Sequence, residues 1–514
     1  MMFDRLHGIG CIHLMVALAL ALPAFGLTAR AGEPDRIQPR VVPYGGPHFG
    51  PVSQAFSVKV NGQPVFTHSF MSYDYAHFAF SGTAHVEVAF NEKITKGVAV
   101  TPSKFNIKPT VTGNKFSFTL DQSRKLFIRT NVPEAYSYWG SKNDHHFLVL
   151  FADPLEVNPP TLGRAKVVSV LDHGADKSGQ NDSAAAINAA IEACPTGGTV
   201  YAPAGKYRID STVYLDKPDM TLYLEGNAFI QKSNGPDALI LAADGVTVSG
   251  RGTIEAKSQA MRTEGRRSLR NFKLEDVVLR DSYVSAKGEY HMVARFRLDN
   301  FLIRNIKGLG CPQNQTYGKQ RDGIALDDTT NGVVDDIFVW SGDDAFYVWS
   351  WDRKSENILV KNCAFRAEGG ASAMKDMSQG EINNLQFVDC VSLRGALQVD
   401  CRIPRGKKPP TPFGRQDHIL FKNIDVEEAA NIDVAAYFGT QLMDAHCNAK
   451  FENVVFKAFY PGKNKFTVRG TDKVNIQFKN LVVKGETIHS REDVKKVGFQ
   501  DTWEGAAKIG FSAE

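Results

Sequence analysis

Asp322-Gly-Ile-Ala-Leu326 and Ser341-Gly-Asp343-Asp344 put three carboxylates close together in the chain, with 21 residues from Asp322 to Asp343. If the intervening chain forms one turn of a coil, Asp322 lies beside the Asp343-Asp344 pair and all three share an outer face. Cleaving a glycosidic bond with inversion needs one protonated carboxyl to donate to the leaving oxygen and one carboxylate to activate water. Crowding like charges raises at least one pKa, which keeps an acid protonated near neutral pH. An isolated Asp at a turn more commonly bonds backbone groups, the role expected of Asp336 and Asp389. Asp327-Asp328 forms a second acidic pair nearby. The same trio could instead bind Ca²⁺, with Lys375 as the base of an elimination across a uronate.

The element that would position these acids is a repeat. A hydrophobic-x-hydrophobic-x-(Asn/Asp)-hydrophobic phrase recurs at Val277-Val-Leu-Arg-Asp281, Phe301-Leu-Ile-Arg-Asn305, Val334-Asp-Asp336, Ile358-Leu-Val-Lys-Asn362, Leu385-Gln-Phe-Val-Asp389, Ile419-Leu-Phe-Lys-Asn423, Phe451-Glu-Asn453 and Ile476-Gln-Phe-Lys-Asn480. The Asn/Asp intervals are 24, 31, 26, 27, 34, 30 and 27 residues. A strand-based repeat of this length means a solenoid with one coil per repeat. The fold expected is all-β, a right-handed parallel β-helix over residues 165–483. Its recurring Asn/Asp sits at a strand end, where it can bond the backbone of a turn.

Open ends of such a coil expose strand edges and need covers. Asp182-Ser183 ahead of Ala184 to Ala193 predicts a capped helix plugging the start, and residues 484–514, where the repeat lapses, predict a cover for the other end. Candidate groove residues one or two coils from the acids are Lys375, Asp376, Gln398 and Asp400, with the aromatics Tyr347, Trp349 and Trp351. Trp349 and Trp351 share strand parity, so both can point outward. His291, His418 and His446 read as scattered surface or core residues, and Arg262 to Arg270 as a solvated basic loop.

Residues 32–153 alternate in short strands such as Phe56-Ser-Val-Lys-Val60 and Val86-Glu-Val-Ala-Phe90, with turns such as Asn61-Gly62, which predicts an antiparallel β-sandwich. Tyr73-Asp-Tyr75, His77 and Phe78 are expected to fill its core and its boundary with the coil. Pro154, Pro159 and Pro160 mark a linker over residues 154–164. Arg5, the apolar run from Leu14 to Leu27, and Ala29-Arg30-Ala31 read as a secretion signal over residues 1–31, placing the mature protein in the periplasm or outside the cell without stable membrane insertion. Cys194, Cys311, Cys363, Cys390, Cys401 and Cys447 then remain, too thinly spread for a disulfide framework and without zinc-site spacing. Cys363 and Cys390 are expected to stack inward without a bond. The formal charge of +4 over 514 residues, with 23% charged residues, argues against a nucleic-acid partner and against disorder.

The plug helix and the coil phrase are similar to those of the pectin-lyase-like superfamily. The sequence Asp322-Gly-Ile-Ala-Leu, Gly332-Val-Val-Asp-Asp-Ile-Phe-Val and Ser341-Gly-Asp343-Asp344 resembles the acidic constellation of glycoside hydrolase families 28 (polygalacturonase-like) and 49 (dextranase/isopullulanase-like). The leading sandwich looks more like family 49. The resemblance implies a secreted, inverting glycosidase that needs no cofactor or metal and acts on a polysaccharide or oligosaccharide. It implies Asp343 as general acid, with Asp322 and Asp344 positioning and deprotonating the water. Two departures stand out. The family 28 Gly-His-Gly is replaced by Glu368-Gly-Gly-Ala-Ser-Ala-Met-Lys375, and its Arg-Ile-Lys by Gly395-Ala-Leu-Gln-Val-Asp400, with Arg402, Arg405, Lys407 and Lys408 only afterwards. A neutral or otherwise decorated glycan is therefore the better expectation. Inserts at 309–320 and 403–415 are candidate blockers of a groove end. The rival readings are the Ca²⁺-dependent polysaccharide lyase and a noncatalytic glycan-binding β-helix.

Overall fold

The computed structural model describes residues 39–131, 146–235, 237–257, 259–265, 267–281, 291–310, 321–368, 371–401, 414–428, 431–435, 437–438, 441–442, 445–458 and 464–513. The expected signal sequence, Cys311, and most of both inserts lie outside the described residues. No helix among the described residues is long and apolar enough to cross a membrane.

The amino-terminal strands form a six-stranded and a five-stranded sheet. Alternation places Val58, Val86, Val88 and Phe116 of one sheet against Phe78, Leu126 and Leu148 of the other in a shared core. One pairing departs from the antiparallel expectation. Phe147–Pro154 runs parallel to Tyr73–Ser81, from Leu148 beside Asp74 to Pro154 beside Phe80. Pro154 thus ends a strand, where a linker was expected to begin. Both strands are buried almost throughout because the sheet packs on two sides. Its second face, with Tyr73, Tyr75, Phe127, Phe147 and Phe151, meets Val278, Phe338, Trp340 and Leu393 of the coil in a separate apolar core.

The remainder is a parallel β-helix, with a 24-stranded and an 11-stranded sheet among the described residues. Inward residues stack coil upon coil. Phe387, Phe421, Phe451, Phe478 and Phe511 form a ring ladder with centroids 4.9, 4.8, 5.0 and 5.2 Å apart, which is the interstrand distance of a sheet. The recurring Asn/Asp residues adopt left-handed backbone, with φ between 53° and 73° for Asp276, Asn305, Asp336, Asn362, Asp389, Asn423, Asn453 and Asn480. Asn and Asp tolerate this region better than other non-glycine residues.

Two expectations change here. The first ladder member is Asp276, since Asp281 lies buried at the end of the strand Val278–Asp281. Where a turn-to-backbone bond was expected, the side chains bond one another between coils: Asn453 Nδ2 donates to Asn423 Oδ1 (2.9 Å) and Asn480 Nδ2 to Asn453 Oδ1 (3.0 Å). A second amide ladder, absent from the sequence reading, runs through Asn331, Asn357 and Asn384.

The plug helix spans Ala184–Ala193 and buries Ala184, Ile187, Ala190 and Ile191. Its cap is Asp182, whose Oδ1 accepts from Ala184 N (3.0 Å), while Ser183 Oγ turns to Asp176 N. Beyond Val483 the chain adds another turn: Gln500–Gly505 pairs with Lys465–Gly470, and Lys508–Ser512 with Val474–Val483. Cys194, Cys363, Cys390, Cys401 and Cys447 are buried free thiols.

Candidate active site

The acids lie on the 11-stranded sheet. Asp322 opens the strand Asp322–Asp327, and Asp343-Asp344 precede Phe346–Ser350 in the next coil. Gly323 explains the Asp-Gly pairing: a Cβ there would lie 2.2 Å from the Ala345 carbonyl oxygen, so only glycine permits the coils to meet. Gly323 N then donates to Asp344 O (2.8 Å), and Asp343 N to Arg321 O (2.9 Å). These bonds fix the two segments side by side. A carboxylate oxygen from each of Asp322, Asp343 and Asp344 falls within 4.8 Å of the others.

The three acids are not equivalent. Asp344 is held from both sides: Ser372 N donates to Oδ1 and Lys375 Nζ to Oδ2, each at 2.8 Å. Burial, reinforced by Asp344, pushes Asp343 up to about 6, with Lys375 pulling the other way. Burial also pushes Asp322 well above the usual carboxylate range, with Asp344 and Asp343 adding to the effect, despite a 3.4 Å hydrogen bond from Tyr347 Oη. The trio offers the oxygen donors of a hard-cation site, but the Lys375 ammonium already sits against it.

The outward ladder from Ala325 runs through Tyr347, Lys375, Gln398 and Asp433. Lys375 also lies 3.9 Å from Asp400 Oδ2, and Gln398 Nε2 lies 3.3 Å from both Asp400 Oδ2 and Asp433 Oδ2. Lys375, Gln398 and Asp400 therefore line the face that carries the acids. Asp376 does not. Neighbouring strand residues face opposite sides, and its ladder partners are the core residues Val348 and Val399. Asp376 is 0% exposed, which removes it from the groove set. Trp349 is partly exposed beside Asp327 in the ladder and contacts Trp351, with ring centroids 4.1 Å apart.

Asp328 is a turn anchor, accepting from the backbone N–H of Trp351 (2.7 Å) and Arg353 (3.0 Å) and pairing with Arg297 (3.1 Å). In the basic stretch, Arg262 pairs with Asp237 and Arg270 with Asp244. His418 and His446 bond Asn383 and Asn448. The sequence reading missed the Ser372 amide, the part played by Tyr347, and the register that sets His291 beside Asp322. Tyr347 was a groove candidate from the sequence, but its bond to Asp322 joins residues of opposite strand parity and could not be read from spacing; the register of His291 needs the coil length, which the intervening insert hides.

A family profile described as "Rhamnogalacturonase A/epimerase, pectate lyase-like" matches residues 167–394. Mannuronan C5-epimerase AlgE3 of Azotobacter vinelandii is 30% identical over 214 residues, covering 38% of this chain and 11% of that protein. The chain spans only 11% to 20% of the length of this and two further epimerases it matches, AlgE1 and AlgE5. "Probable rhamnogalacturonase B" of Aspergillus fumigatus is 20% identical over 345 residues, covering 62% of this chain and 61% of that one. Among solved structures, Dex49A from Penicillium minioluteum superposes with a TM-score of 0.53 at 9% identity, covering 90% of this chain and 96% of that one. The chain has the pectin-lyase-like β-helix fold, with sandwich-like sheets ahead of it.

Proposed function

We propose that this protein is a glycoside hydrolase acting on a polysaccharide or oligosaccharide laid across the outward face of the 11-stranded sheet. The observation that carries the reading is the trio itself: three carboxylates with oxygens within 4.8 Å, two of them held above the usual carboxylate range. Asp343 gives its proton to the leaving glycosidic oxygen as the bond to the anomeric carbon breaks. Asp344, oriented by Ser372 N and Lys375, takes a proton from the water whose oxygen attacks that carbon. Asp322, held above the usual carboxylate range by burial and by its acidic neighbours, positions the water. Lys375, Gln398, Asp400, Trp349 and Trp351 would contact the sugars, and no metal takes part.

Inversion is the outcome implied by the family resemblance. The trio's nearest oxygens are closer than the roughly 6.5–9.5 Å usual between inverting carboxyls, so the anomeric configuration of the first product, read by NMR, decides this point. We also propose export through residues 1–31, supported by the Leu14 to Leu27 run and Ala29-Arg30-Ala31. Amino-terminal sequencing of the mature protein checks it.

The match to epimerases supports a second reading, proton abstraction from a uronate. Lys375 would be its base, but its ammonium is tied to Asp344 and Asp400, which favours hydrolysis. The test is a screen of wild type and Asp343→Asn on polygalacturonan, rhamnogalacturonan, dextran and alginate, recording reducing ends and ultraviolet absorbance. Reducing ends from wild type alone, without absorbance, support hydrolysis. Absorbance from an unsaturated product, or full activity in Asp343→Asn, overturns it.

A further inference from the structure

The strand Phe338–Ser341 ends just before the acidic turn, and its Trp340 is completely buried between the coil and the sandwich. Tyr73 of the sandwich stacks on Trp340, with centroids 4.0 Å apart and planes at 23°. Phe127 and Phe147 meet the indole edge-on, and the Arg366 guanidinium lies 5.2 Å from the ring centre. Trp340 Nε1 donates to Glu368 Oε1 (3.1 Å), and Glu368 N donates to Ser341 O (3.2 Å). Ser341 Oγ then donates to the Asp343 carbonyl (2.6 Å).

Tyr73 also reaches the coil that precedes this one. Its hydroxyl donates to Gly310 O (3.0 Å), and Gly310 N donates to Trp340 O (2.8 Å). A Cβ at Gly310 would lie 2.5 Å from that same oxygen, so the approach requires glycine. One sandwich side chain thus grips two consecutive coils: the one that leads into Asp322 and the one that delivers Asp343 and Asp344.

We propose that Tyr73 and Trp340 are positioning residues that fix the Ser341–Asp344 turn, so that the amino-terminal sandwich forms part of the catalytic apparatus; this rests on the hydrolytic reading of Asp343. Neither residue touches the reacting atoms. Their effect is on alignment, where a displacement near 1 Å can lower a rate about 100-fold.

The test compares Tyr73→Leu, Tyr73→Phe and Trp340→Phe with Tyr75→Leu, a boundary residue that bonds Arg280 and lies away from the turn. On whichever of the four glycans wild type cleaves, Tyr73→Leu should lower kcat at least tenfold, leave KM within about threefold, and move the alkaline limb of the pH profile. Tyr73→Phe, which keeps the stack, should recover most of kcat. Tyr75→Leu should lose thermal stability with kcat and the limb unmoved. Without any substrate, ¹³C titration of the Asp343 carboxyl should shift between wild type and Tyr73→Leu, or Trp340→Phe if that variant does not fold.

An unchanged titration midpoint and kcat in folded Tyr73→Leu would overturn the proposal, as would an equal loss of kcat in Tyr75→Leu. The two readings fail separately. Activity in Asp343→Asn sinks hydrolysis, whereas an inactive Asp343→Asn beside an unaffected Tyr73→Leu sinks only the positioning role.

Discussion

Asp153 and Asp343 are buried aspartates that the fold treats in opposite ways. Asp153 ends the sandwich, and its Oδ2 receives His77 Nε2 (2.8 Å), Arg251 Nη1 (2.6 Å) and Lys307 Nζ. Burial alone would push its pKa up, yet Lys307, His77 and Arg251 together hold it well below the usual range. Asp343 is met instead by Asp344 and Asp322, and burial with like charge pushes it up to about 6. The same residue type is therefore held as an anion between the sandwich and the coil, or is held toward its protonated form, which the proposed hydrolysis requires of its acid. What decides is whether cations or carboxylates surround it.

Exchanging each for its neutral isostere should separate the two roles most sharply. Asp343→Asn should lose roughly 10³-fold in kcat while its urea midpoint stays at or above that of wild type. Asp153→Asn should keep the acidic trio but lose about 3–5 kcal/mol of stability, because it removes the carboxylate that pairs with buried Lys307 and leaves buried Arg251 with Asp276 alone. Comparable destabilisation by both variants would erase the distinction. Linkage gives the same contrast in pH. The depressed pKa of Asp153 supplies stability above about pH 4 that is lost as pH falls, so the acid limb of a stability-pH curve should flatten in Asp153→Asn.

A smaller effect belongs to the proton on Asp343. An acid with a pKa of about 6 must be protonated to work, so kcat/KM should fall about tenfold per unit above that pH. Lys375 pulls this pKa down, so Lys375→Met should raise it and move the alkaline limb to higher pH while lowering the plateau by roughly 10²-fold through the loosened Asp344. A limb that stays put in Lys375→Met would mean that the titrating group is not in the trio.

The trio was legible in the sequence because a coil of known length converts 21 residues into one step along the axis, and Gly323 marks where the coils touch. The repeat was legible through Asn305 to Asn480, since left-handed turns favour Asn and Asp. The first repeat was misphased because Asp276 and Asp281 both flank an apolar run, and only the backbone distinguishes a turn residue from a strand end. The Asp153 clamp was not legible at all. Its partners come from residues 77, 251 and 307, and nothing local in the sequence links them. The parallel pairing of Phe147–Pro154 escaped for the same reason, as its partner strand begins at Tyr73.

Asp376 tests the smallest difference, between the two faces of one strand. Lys375 and Asp376 are adjacent, so once Lys375 joins Tyr347 in the outward ladder, Asp376 must enter the core between Val348 and Val399. No well-formed hydrogen bond reaches either of its oxygens among the described residues. Burial, with Asp400 adding to it, raises its pKa well above normal, against a modest pull from the Asp376 and Asp400 backbone N–H groups. A carboxyl whose folded pKa is raised binds its proton more tightly in the native state, so stability declines as pH climbs above about 4 toward the folded pKa. Asp376→Val continues the valine ladder and removes that slope. It should gain about 1–3 kcal/mol at neutral pH, little at pH 4, and keep near-wild-type activity. A loss of activity with no gain in stability would return Asp376 to the groove.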